Sequence, residues 1–213
     1  LIEVPEIAIE AVRRTLQEVY AETLQAIERD IRGGILAKPE RLDTVLAALR
    51  ETRRFLGTVA FPASRPDQYY ARVSIIHALD HLHQLAVVVQ DEFEPGLLAD
   101  ESRLEMPKRL MLEMLVTVTA AMRRKTPTLE RDQLQRMSLA LAEHRRTGRA
   151  ALLKDSAHGT VEAEQALHTL NGLRWLDAVG YHAWRAAHHL GAEAGEAEDS
   201  VDGLRLKAEF SSD

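Results

Sequence analysis

Along most of the chain apolar residues return every three to four positions, the period of helices that bury one face, and the runs are broken by proline and glycine. The first run sets Ile9, Val12, Leu16, Tyr20, Leu24, Ile27 and Ile31 on one stripe. It predicts a helix over about 5–32 that opens on Pro5 and stops at Gly33 and Gly34. Further helices are predicted over about 39–59, 67–93, 102–125, 128–157 and 160–190. The punctuation between them comes from Pro62 and Pro66, from Pro95 and Gly96, from Pro127, and from His158 and Gly159, and Gly191 closes the sixth. Pro107 falls inside the fourth span, so that helix either starts at Met106 or kinks at the proline.

The sixth helix repeats the third. Residues 74–89 lie 97 positions before a matching stretch of 171–190, and at that offset Leu79, Asp80, Leu82 and Ala86 fall opposite Leu176, Asp177, Val179 and Ala183. The chain is therefore read as all-α, six long helices in two tandem three-helix units, 1–96 and 97–191, followed by a mobile acidic tail over 192–213. The sixth helix also holds both tryptophans of the chain, Trp175 and Trp184, with Tyr181, His182, Arg185, His188 and His189, where a plain packing helix would carry Leu, Glu and Lys.

Composition narrows the function classes. With 46% hydrophobic and 28% charged residues in 213, the chain has enough apolar material for a core. It has no cysteine, which removes disulfides, zinc thiolates and thiol catalysis. The net charge of -6 sits mostly in 193–213, where seven acids face two bases, so the body is close to neutral and lacks the cationic field that nucleic-acid binding requires. No apolar run approaches the roughly 18–20 residues of a membrane span, and no signal peptide is visible, so the chain is read as soluble. A start at Leu1 fits a domain cut from a longer polypeptide.

Two helical triplets with an acid in a Leu-Asp-x-hydrophobic stretch on each third helix resemble the PhoU family, whose repeats carry a stretch like Leu-Glu-Arg-Ile-Gly-Asp with two metal-binding acids one turn apart. Here the first acid is kept as Asp80 and Asp177, while the second position holds Gln84 and Tyr181. The string from Arg174 through Trp175, Leu176, Asp177, Tyr181, His182, Ala183 and Trp184 to Arg185, with Glu143, His144, Arg145 and Arg146 before it, is more similar to the PhoU-like cytoplasmic domain of bacterial Na+/phosphate cotransporter-like proteins. That resemblance spans about residues 5–191. It implies a non-enzymatic cytoplasmic regulatory module at the inner face of the membrane, part of a membrane protein, whose partner is the transporter's membrane domain or a signalling protein; a homodimer is a further option.

The candidate chemistry follows from the same residues. Acids at i and i+4 share a helix face, and two such helices would offer four oxygens to a divalent metal. Replacing half of them with Gln84 and Tyr181 weakens that set, so no cofactor is expected, and Asp80 and Asp177 serve equally well to cap a buried polar layer, for example Asp177 with Arg174 one turn earlier. His77 and His81, also one turn apart, form a possible metal face; the plainer reading is two solvent-side histidines. His182, Arg185 and His189 form a stripe suited to an anion, while the helix-end pair His188 and His189 also suits the C-terminal dipole without any ligand. Trp175, Tyr181, His182, Trp184 and Arg185 are expected to form a protein-docking face. The competing function is a divalent-metal bundle, either a metal sensor or a ferritin-like carboxylate enzyme; the latter needs two Glu-x-x-His helices, and the nearest strings begin at Asp80 and Asp155, the second running into the Gly159 break. No Gly-x-Ser-x-Gly, phosphate loop or His-Glu-x-x-His motif is present.

Overall fold

The computed structural model describes residues 5–33, 40–59, 66–91, 98, 102–124 and 128–191, and the expected acidic tail, 192–213, lies outside them. Among the described residues there are six long helices and no strand: α1 (Pro5–Gly33), α2 (Glu40–Thr58), α3 (Pro66–Asp91), α4 (Glu105–Arg124), α5 (Thr128–Ala157) and α6 (Ala163–Gly191). The predicted spans match these within three residues.

Local chemistry accounts for the ends. Pro107 lies in the first turn of α4, where backbone N–H groups have no intrahelical acceptor, and a 3₁₀ turn, Ser102–Leu104, leads into it; the helix starts there and is not kinked. Gly159 ends α5 at φ 71°, with Thr160 N donating to Asp155 O and Gly159 N to Ser156 O, both at 3.0 Å. This double bond pattern needs a left-handed residue just past the helix, which glycine adopts without steric penalty.

Packing divides the helices into two triplets. The outer helix α2 packs on α1 and α3, and the outer helix α5 packs on α4 and α6. The triplets meet through their equivalent members, α3 against α6 and α1 against α4. The third helices run antiparallel: Trp175 lies beside Val88, His182 beside His81 and His189 beside His77. A single apolar cluster passes through both triplets. On α1 the predicted stripe is its contribution, with Ile9, Val12, Leu16, Tyr20, Leu24 and Ile27 buried and Ile31 packed at the edge.

Helix α6 is covered by α3, α4 and α5 and touches α1. It is therefore buried around most of its circumference, which explains both its small residues and its buried polar ones. A Cβ on Gly180 would stand 2.4 Å from Leu141 Cδ1, so α5 approaches α6 more closely there than any other residue would allow. From α1, the Tyr20 hydroxyl donates to Ala183 O at 2.5 Å, and Arg13 donates to Leu190 O, one of the last-turn carbonyls that α6 cannot satisfy itself. Burial pushes the Tyr20 phenol above its ordinary value, which keeps it a neutral donor.

Candidate functional site

The seam between α3 and α6 gathers five histidines. His77 and His81 come from α3 one turn apart, and His182, His188 and His189 come from α6, so helical periodicity on two antiparallel helices brings them into one layer. The His77 and His189 rings stack at 4.9 Å between centroids, His81 and His189 are nearly parallel at 5.7 Å, and the Nδ1 atoms of His81 and His182 are 3.2 Å apart. Tyr181 meets His81 and His182 edge-on, and Trp184 lies against Tyr181 with the Arg185 guanidinium 5.4 Å over its ring.

His189 is the interior member. It is 4% exposed and its Nε2 has no hydrogen-bond partner. Burial first, then the positive charge of Arg185 and the neighbouring His188, His77 and His81, hold its imidazole far below the ordinary 6.5. Its place inside the seam replaces the expected helix-end role, in which His188 and His189 would face only the C-terminal dipole.

The expected docking face is corrected by burial. Trp175 is 1% exposed and donates its Nε1–H to Val88 O at 3.2 Å; Trp184 and Arg185 are also buried, and Tyr181 and His182 are half-buried. Trp175 joins the two triplets, and the three buried members of the set present no free surface. The sequence pattern could not separate the two roles, because an aromatic stripe looks the same whether its partner is another chain or another helix of its own.

The positions matching the PhoU metal motif do not converge either. Asp177 is buried and accepts from Arg145 Nε on α5 at 3.1 Å, a partner that lies on a different helix. Asp80 and Gln84 are exposed on α3, and Asp80 borders a groove with Arg53 and Arg72. Asp177 is thus paired with an arginine of the outer helix of its triplet, and a buried, paired carboxylate on one helix with an exposed one on the other does not fit a shared cation. The 3.2 Å between His81 and His182 nitrogens is also the spacing of two ligands on one zinc ion, given bonds of about 2.0–2.1 Å. A third ligand is needed, and among the described residues no group of three His, Asp or Glu side chains could hold a metal.

Sequence reasoning missed Arg53 and Arg72, whose spacing carries no motif, and Asp30, which the helical period alone places among apolar residues. Asp30 is 2% exposed with neither carboxylate oxygen hydrogen-bonded; burial raises it from 3.8 to about 6, moderated by Arg29. Asp30 and His189 load the pH dependence in opposite senses. The folded state holds Asp30 ionised at a cost above pH 6, and that cost fades as pH falls towards 4. His189 is neutral in the folded state, so stability is lost below about 6.5 as the unfolded chain takes up a proton. Each term changes by about 1.4 kcal/mol per pH unit, so between pH 4 and 6 the two largely cancel. Asp30→Asn is therefore expected to stabilise the protein by roughly 1–2 kcal/mol at pH 7 and to uncover a fall of roughly 1 kcal/mol per unit below pH 6. Urea unfolding from pH 4.5 to 7.5 reads both; an unaltered profile in the variant would refute the assignment.

Compared with protein-family models, with curated proteins and with solved structures, the chain finds no match in any of the three.

Proposed function

We propose that this chain is a non-enzymatic PhoU-like regulatory domain that acts on phosphate uptake of the Na+/phosphate cotransporter type through protein contacts at the cytoplasmic face of the membrane. The observation that carries the reading is the pairing of two helical triplets through their equivalent third helices, with the stretch around 174–185 forming the rigid seam. Supporting it, the acids that a carboxylate enzyme would use are placed apart and beside arginines. No described helix is long and apolar enough to cross a membrane.

With Trp175 and Trp184 buried, the contact surface is assigned to exposed apolar residues at one end of the bundle. Gln68 donates to Glu6 and so ties the first turns of α1 and α3 together, and beside this bond Ile7, Tyr69 and Tyr70 are each about half exposed or more. Such residues are where partner contacts concentrate. The test is labelled-phosphate uptake by cells whose cotransporter carries or lacks this domain. Removal is expected to change uptake, and the combined change Ile7→Asp, Tyr69→Asp and Tyr70→Asp to reproduce the effect with an unaltered unfolding midpoint. Uptake indifferent to loss of the whole domain would end the proposal; uptake that responds to removal but not to the triple variant would move the contact elsewhere.

A further inference from the structure

Between the last turns of α2 and the first half of α3 lies a cavity of about 480 Å3, within the size range of small-molecule sites. One part of its lining carries two guanidiniums, Arg53 from α2 and Arg72 from α3, and the His77 imidazole of α3 lines it as well. The rest is apolar, with Leu56 forming the wall and Ile76 left 44% exposed. Asp80 lies on the same rim, so the two arginines and this acid together carry one net positive charge.

Leu79 also lines the cavity, and Gly57 is the informative lining residue. It is the penultimate residue of α2, it has no positive φ, and a Cβ built on it would meet nothing within 4 Å. Neither backbone conformation nor close packing explains a glycine there, and in a helix it is about 1 kcal/mol worse than alanine. What it does secure is an unobstructed floor for the groove.

We propose that this groove binds a small phosphorylated organic molecule, with the phosphate on the Arg53 and Arg72 guanidiniums and the His77 imidazole, and an apolar body against Leu56 and Ile76. Guanidinium presents a planar fork of N–H donors that matches two phosphate oxygens at once, and the flanking apolar wall adds burial that a bare anion cannot use. Asp80 weakens any simple anion, so the apolar body is needed for measurable affinity. A concave site of this size suits a soluble ligand better than a flat bilayer surface. His77 also stacks on His189, so the ligand would touch a ring that belongs to the seam. The inference does not depend on the regulatory reading: binding is measured on the isolated chain, and transport is not its readout.

The probe is phenyl phosphate, titrated into the purified chain and followed by calorimetry and by amide and imidazole resonances, with phenol and inorganic phosphate as comparators. Saturable binding is expected with shifts at Gly57 and His77, stronger than for inorganic phosphate and absent for phenol. Arg53→Gln and Arg72→Gln are each expected to weaken it about tenfold or more, a loss of about 1.4 kcal/mol. Gly57→Trp is expected to abolish binding while the unfolding midpoint stays equal or rises, which keeps the test informative if an arginine variant folds poorly. The proposal is overturned by absent shifts at these residues, by binding that survives Gly57→Trp, or by affinity unchanged in both arginine variants. Binding to phosphatidic acid vesicles without binding to phenyl phosphate overturns it too, and assigns the arginines to a membrane surface.

Discussion

Trp175→Ala is expected to lower stability by about 3–5 kcal/mol, the usual range for truncating a fully buried tryptophan. The side chain is 1% exposed, lies in the α3–α6 seam beside the last turn of α3 and donates to the Val88 carbonyl at 3.2 Å. Alanine therefore removes the apolar contacts, opens a cavity between the triplets and deletes a buried donor in one step. In a chain of this length each kcal/mol moves the midpoint by about 2–4 °C, so a fall of roughly 10 °C or more is expected. Trp175→Phe keeps most of the apolar body and loses the N–H, and it is expected to cost about 1–2 kcal/mol. Urea denaturation followed by circular dichroism measures both. An alanine variant within about 0.5 kcal/mol of the parent would mean that the seam does not carry the fold.

The second large effect concerns the link between α5 and α6, and it is asymmetric. Arg145→Met is expected to cost roughly 2–3 kcal/mol, while Asp177→Asn costs about 1 kcal/mol. The physical difference is access to water. The Asp177 side chain is 3% exposed and cannot recover hydration when the guanidinium beside it is removed, whereas Arg145 is 35% exposed and can turn outwards when the carboxylate is neutralised. The double variant Arg145→Met with Asp177→Leu is expected to recover most of the loss, because two apolar groups replace a buried ion pair. Equal losses in the two single variants, or simple additivity in the double, would show that the pair is not coupled as described.

The helices were readable because each depends on local information: the apolar period, Pro5 at an N-terminus, Pro107 in a first turn, Gly159 after a C-terminus. The duplication was readable as well, since the 97-residue offset between Leu79–Asp80 and Leu176–Asp177 is internal to the sequence. The candidate site was only partly readable. The sequence singled out His77, His81, Tyr181, His182 and His189, and ring contacts across the α3–α6 seam join all of them. What it could not supply was their exposure, so residues taken as a docking face proved to be buried packing. Nor could it supply Arg145 as a partner of Asp177, because periodicity describes only neighbours along one helix and Arg145 approaches from another.

The sequence by itself determined six helices, their ends, their grouping into two triplets and the identity of the residues that gather at the third helices. Only the tertiary structure decided that α3 and α6 run antiparallel against each other, that five imidazoles share one layer with His189 held neutral inside it, and that Arg53, Arg72 and Gly57 border one groove. The division has a simple cause. Turn chemistry and amphipathic period act over a few residues, whereas burial, charge neutralisation and cavity shape depend on which helix faces are pressed together, and those faces are far apart along the chain.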